Sequence, residues 1–396
     1  MQRYAIATPE GTRDRLFDDC VQQNDLSARL RDLFGRRGFS EIMTPVTEFY
    51  EVFRRSGTAL PEESMLKLTD RSGRILVLRP DSTTPALRLA AAKLAGMPLP
   101  YRLSYIQPIF RSGDANTGRA GEMLQAGAEW IGTPGIMSDI SMIALAIEAL
   151  KACGLSNFRI EIGHAGYFRA LMSSLDLPEE RREEVRRLVG AKNFAALGDL
   201  LDQWDDGPAV RALRRLPLLF GGAEVLDEAL ASGAGTEAEN AVRALQTVWR
   251  ELKAAGLSQW VFFDLGLVHR IGYYTGMVFR GYADGAGCPV LSGGRYDKLA
   301  GAFGRALPAV GFAVDLDGVC ACLPERPLSQ PDTALCPLPG GLKKALTFLD
   351  ENPPGSCFLT GCDDEESAMA VARENGARKL VVFTACDSWE RAVEEE

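Results

Sequence analysis

The stretch YRLSYIQPIFRSGDANTGRAGEMLQAGAEWIG (101–132) sets the tightest limit on the fold. Two apolar, strand-like runs flank a polar, glycine-containing loop, and that order predicts an antiparallel hairpin. A hairpin of this kind needs a sheet around it, and the rest of the chain supplies the parts. ILVLRPDSTTPALRLAAAKLAG (75–96) reads as strand, turn and helix, with Asp81–Thr84 at the cap and Pro85 in the first turn. Residues 15–38 read as an amphipathic helix, with Leu16, Leu26, Leu30, Leu33 and Phe34 near helical spacing and Gly38 ending it. FSEIMTPVTEF (39–49) is extended and interrupted by Pro45, 138–152 is a helix, and NFRIEIGHAG (157–166) is a further strand.

Residues 166–256 are rich in Leu, Ala, Arg and Glu, and are helical in pattern almost throughout. They read as an inserted helical lobe. Strands return over 260–323 and close with one helix. A linker over 324–332, PERPLSQPD, carries three prolines. Beyond it, 333–396 alternates strand and helix, which predicts a small α/β lobe. The fold class expected is α+β: a core antiparallel sheet flanked by helices over 1–323, the helical insertion within it, and the small C-terminal lobe.

Composition narrows the function classes. With 46% apolar and 24% charged residues, the 396-residue chain is that of an ordinary globular protein with at least one large core. No run of 18 apolar residues exists, and MQRYAIATPEGTRD has no apolar signal-peptide core, so a cytoplasmic protein with no membrane contact is expected. The nine cysteines are scattered, and the closest pair is Cys320 and Cys322, so buried thiols are expected rather than disulfides. Only His164 and His269 are present, which excludes a His-rich metal centre. Forty-four Lys/Arg against 53 Asp/Glu give a net charge of −9, which disfavours a nucleic-acid binder.

Several segments together resemble the histidyl-tRNA synthetases, of the class II aminoacyl-tRNA synthetase fold. GFSEIMTPVTEF (38–49) is similar to their motif 1, the dimer interface of that class. LRPDSTTPALR (78–88) is similar to the amino-acid pocket segment. YIQPIFRSGDANTGRAGEMLQAGAEWIG (105–132) is similar to motif 2. IGYYTGMVFRGYADG and LSGGRYDKL, within 271–299, resemble the histidine signature, and GFAVDLDGV (311–319) stands in the place of motif 3. The resemblance covers about residues 5–323.

It implies a pocket for free histidine. Asp81, Thr83 and Gln125 would meet the ammonium, and Arg111 is the motif 2 arginine, which in the synthetases grips carboxylate and α-phosphate. Glu129 on the facing strand, with Tyr273 and Tyr274, would line the side-chain pocket. Each has a plainer reading as a helix cap, a solvated strand residue or sheet packing. Gly293, Gly294 and Arg295 read as scaffold behind the site.

The same resemblance exposes what is missing. In-line attack on a phosphate needs cations placed on the developing charge. The motif 2 glutamate that reads adenine is replaced by Gly113, and the second motif 2 arginine by Gly121, with Arg119 offset. The signature arginine is His269, whose neighbour Arg270 would point to the opposite strand face. The motif 3 Glu-Arg pair is Asp317-Gly318. From residue 332 on, six Lys/Arg stand against thirteen Asp/Glu, so the tail would repel a tRNA backbone. No catalytic residue, cofactor or metal is expected. A chain with the histidine pocket and without the adenylation set resembles the regulatory subunits of ATP phosphoribosyltransferase. That implies a hetero-oligomer with a short-form catalytic subunit, a self-dimer through motif 1, and L-histidine as ligand.

Overall fold

The structure is a computed structural model, and it describes residues 7–55, 62–112, 121–232, 235–267, 273–324 and 331–393. The chain divides into two compact units, Met1–Arg15 with Val21–Pro324, and Leu16–Cys20 with Glu325–Glu396. Most of the 324–332 linker lies outside the described residues.

The larger unit holds α1 (Phe17–Arg36) from Val21 on, then β1 (Ser40–Glu41), β2 (Thr47–Phe49) and α2 (Tyr50–Arg55). Leu26, Leu30, Leu33 and Phe34 fall on one face of α1 and are buried. Leu16 precedes the helix and stays exposed, so it adds nothing to that stripe. Gly38 has φ +78, a left-handed conformation that stops the helix at little cost only for glycine. Next come β3 (Lys67–Thr69), β4 (Ile75–Leu78), α3 (Thr83–Lys93), β5 (Tyr101–Phe110), β6 (Glu122–Ile131), α4 (Ile136–Ala152) and β7 (Phe158–His164). The insertion holds α5 (Ala165–Ser173), α6 (Glu179–Gly190), α7 (Phe194–Leu201), α8 (Pro208–Arg215), β8 (Phe220–Gly221), α9 (Glu224–Ala231) and α10 (Thr236–Ala254). It is therefore not wholly helical, because β8 pairs with a strand of the main sheet. The unit closes with β9 (Val261–Asp264), β10 (Met277–Ala283), β11 (Leu291–Arg295), β12 (Ala309–Asp315) and α11 (Leu316–Cys322).

Nine strands form the main sheet in the order β1-β5-β6-β12-β11-β10-β7-β9-β8. Pairing is antiparallel except for β1 with β5 and β7 with β9. The 101–132 hairpin pairs over its full length, from Tyr101 with Ile131 to Phe110 with Glu122. Pro108 is tolerated because β1 covers β5 only at Leu103 and Ser104, leaving an open edge where no ladder donor is needed. A three-stranded sheet, β2-β4-β3, stands apart. The main core joins one face of the large sheet to α1, α4 and the insertion through Phe34, Ile143, Leu150, Tyr167, Leu245 and Phe312.

The smaller unit holds β13 (Thr333–Pro337), α12 (Leu342–Glu351), β14 (Cys357–Leu359), α13 (Glu365–Glu374), β15 (Lys379–Phe383) and β16 (Ser388–Ala392). Its sheet order is β14-β13-β15-β16, parallel except for the last pair. Among the described residues no helix is long and apolar enough to cross a membrane.

Candidate functional site

Strand register builds the site. Side chains two apart on a strand share a face, so paired residues form rows across the sheet. One row runs Leu103, Glu129, Gly311, Gly294, Val278 and Gly163. The next runs Tyr105, Gly127, Ala313, Ser292, Arg280 and Glu161. Small residues dominate the middle of both rows, and larger side chains from neighbouring positions lie over them.

The glycines are required by what lies over them. A Cβ on Gly127 would overlap the ring of Tyr105, and one on Gly311 would overlap the Glu129 carboxylate. A Cβ on Gly294 would stand 2.7 Å from the Tyr274 ring. Gly293 faces the other way, where a Cβ would come within 2.6 Å of both Phe279 and Phe312. The Gly293-Gly294 pair thus serves both faces of β11 rather than making a turn. Arg295 is scaffold: its guanidinium bonds Asp139 (2.7 Å), Ser138 (2.7 Å) and Asp297 (2.9 Å), tying β11 to the start of α4.

Glu129 is fully buried at the centre. Its Oε1 accepts from Thr83 Oγ1 at 2.7 Å and from the Tyr105 hydroxyl at 3.0 Å, and its Oε2 accepts from the Tyr296 hydroxyl. Burial pushes Glu129 up to about 7, against the pull of those three hydroxyl donors. Tyr273, Tyr274 and Tyr296 form a ring cluster, with centroids 4.8 Å apart for Tyr273–Tyr274 and 5.6 Å for Tyr273–Tyr296. Desolvation raises the Tyr274 hydroxyl. The cluster makes one apolar, aromatic wall beside a single carboxylate.

Asp81 is buried just before α3 and accepts from Thr84 N at 2.8 Å. The helix-cap reading therefore holds for it, and burial still raises its carboxyl although Thr84 and Arg111 pull it down. Arg111 ends the strand run of β5, and its Nε donates to Pro80 O at 2.8 Å. Gln125 shares the face of Gly127 and Glu129, and its Oε1 is buried without a hydrogen-bond partner among the described residues. Thr83, expected at the ammonium end, and Glu129, expected at the ring end, are bonded to each other. Sequence reasoning did not select Tyr105 or Tyr296. A signal for Tyr105 existed in the glycine that its register partner carries.

The positions that stand for the phosphate contacts are described only in part. Gly113, Arg119, His269 and Arg270 lie outside the described residues. Gly121 N donates to Gly11 O at 2.5 Å and Gly121 O accepts from Arg111 N at 2.7 Å. A Cβ at 121 would already stand 3.0 Å from Arg111 O. Asp317 pairs with Arg15, accepts from Gln23 Nε2 at 3.4 Å, and accepts from Leu124 N at 2.8 Å. A Cβ on Gly318 would stand 3.2 Å from Asp315 Oδ2 and 3.3 Å from Val290 Cγ1. An arginine at 121 or 318 would have to displace its neighbours. Among the described residues no group of three His, Cys, Asp or Glu side chains is arranged to hold a metal.

Comparison with known proteins places this geometry. The family model described as histidyl-tRNA synthetase matches residues 11–319. A curated ATP phosphoribosyltransferase regulatory subunit from Clostridium kluyveri is 40% identical over 326 residues, 82% of this chain and 83% of that protein. The chain belongs to the ATP phosphoribosyltransferase regulatory subunit family. Another member of the family, from Clostridium botulinum (strain Langeland), is 35% identical over 97% of this chain and 93% of its own length. A crystal structure described as an ATP phosphoribosyltransferase regulatory subunit/histidyl-tRNA synthetase from Bacillus halodurans superposes with a TM-score of 0.83 at 29% identity, covering 96% of this chain and 98% of that one. A histidyl-tRNA synthetase from Nostoc shares the fold, at TM-score 0.76 and 18% identity. The class II synthetase-like fold read from the sequence is therefore that of the family, and its regulatory name accords with a chain that does no chemistry of its own.

Proposed function

We propose that this chain is the non-catalytic partner of a short-form ATP phosphoribosyltransferase catalytic subunit, in a cytoplasmic hetero-oligomer that performs the first step of L-histidine biosynthesis. L-histidine occupies the pocket over β6, β11 and β12 and acts as the feedback ligand. One observation supports this reading: a buried carboxylate held by Thr83, Tyr105 and Tyr296, with Tyr273 and Tyr274 packed on Tyr296, shares its sheet with the positions of the phosphate contacts, which are Gly121, Asp317 and Gly318. The imidazole lies against Tyr273 and Tyr274 and gives an N–H to Glu129. Asp81 and Gln125 meet the ammonium, and Arg111 meets the carboxylate. Regulation follows if histidine binds one state of the assembly better than another. An active histidyl-tRNA synthetase is disfavoured by the same three positions.

The test is reconstitution with a short-form catalytic subunit. The two chains should co-purify, and phosphoribosyl transfer should rise at least about tenfold, equivalent to roughly 1.4 kcal/mol of barrier, when this chain is added. Transfer equally fast without it would reject the reading.

The chain also forms a self-dimer through the small sheet. Phe49, Leu76 and Leu68 align in one row across β2, β4 and β3. Phe49 is 43% and Leu68 37% exposed, an apolar face that a second copy would cover. The double variant Phe49→Lys/Leu68→Lys should run as a monomer in sedimentation, whereas an unchanged dimer would place the interface elsewhere.

A further inference from the structure

Glu129 is held by more than its own strand. A carboxylate offers about four lone pairs on two oxygens. Thr83 and Tyr105 fill those of Oε1, and Tyr296 takes one on Oε2. Both phenols are rigidly placed. The ring of Tyr105 lies against Gly127, with no room there for a Cβ. Tyr296 follows the anchored Arg295, and its backbone N–H donates to Ala309 O at 2.8 Å. All three donors are hydroxyls, and their bonds favour the charged carboxylate over the neutral carboxyl.

We propose that Tyr105 and Tyr296 are positioning residues of the pocket: they hold Glu129 as a charged acceptor and leave a single lone pair on Oε2 to read one N–H of the ligand. The inference rests on the histidine reading given above and names what sets its selectivity. Among the described residues, the titratable groups facing Glu129 are Asp81 just before α3, Tyr105 of β5, Tyr296 after β11, and Tyr273 and Tyr274 before β10. None of these described groups is a cation, and the three hydroxyls favour the charged form. Burial works against them, as the value near 7 shows. Loss of one donor therefore raises Glu129 further.

The test compares wild type with Tyr296→Phe and Tyr105→Phe in the full chain. In wild type, L-histidine affinity should strengthen as pH rises through about 7. In Tyr296→Phe the limb should move up by about one pH unit, so that binding is about fivefold weaker at pH 7 and within about twofold of wild type at pH 9. Tyr105→Phe should move it in the same direction. A structural role alone would weaken binding equally at every pH, and that result would overturn the proposal. A second readout is the carbon-13 titration of the Glu129 carboxyl in the ligand-free protein. An upward move in Tyr296→Phe supports the positioning role even if wild type binds no histidine, in which case only the functional reading falls. An unmoved titration overturns the positioning role whatever the ligand.

Discussion

Glu129→Gln is expected to weaken L-histidine binding by about 10- to 100-fold at pH 8, the loss of a hydrogen bond to a buried charge. Calorimetry of the purified chain checks this. The substitution also leaves a mark on stability that needs no ligand. Burial lifts Glu129 from 4.5 to about 7 in the folded chain. Between those two values the unfolded chain has released its proton while the folded chain keeps it. Stability from this group is thus complete below about 4.5 and is lost as pH rises through about 7. The loss amounts to about 3 kcal/mol at most. Denaturant unfolding of wild type should therefore fall off between pH 5 and 8 relative to Glu129→Gln. Parallel curves would mean that Glu129 is not the buried, proton-retaining group described here.

Gly311→Ala is expected to damage the pocket most among the small substitutions. The added methyl would occupy the space of the Glu129 carboxylate. The carboxylate lies among three hydroxyls and cannot move without breaking bonds to them. Overpacking of this kind costs about 1–3 kcal/mol, and the displaced acceptor should remove detectable histidine binding. Gly301→Ala is the control, because nothing lies within 4 Å of its added Cβ. A thermal melt and a histidine titration of both variants decide the matter. Binding by Gly311→Ala at wild-type strength would show that Glu129 is not where the ligand meets the sheet.

Much of the fold was legible because its signals are local. The Leu26–Phe34 stripe of α1 and the two runs of the 101–132 hairpin follow from periodicity. The pocket was legible only in part. Asp81, Thr83, Gln125 and Glu129 were chosen through resemblance, and the structure brings Thr83 and Glu129 into direct contact. Tyr105 and Tyr296 were passed over because their role depends on register across four strands, which no single segment encodes. The Gly293-Gly294 pair is legible in sequence only as scaffold, because nothing local says what packs on it. Its physical reason is close approach, with rings on both faces of β11. The closure of the motif 3 position was equally out of reach. Arg15 and Asp317 are 302 residues apart in sequence, and only the folded chain brings them together.

The most direct test of the account is one calorimetric titration of L-histidine into the full chain, with and without Mg-ATP, with released pyrophosphate assayed in the same samples. The account predicts one histidine per chain, an affinity unchanged by the nucleotide, and no pyrophosphate. Histidine-dependent release of pyrophosphate, or no histidine binding at millimolar ligand, would contradict it.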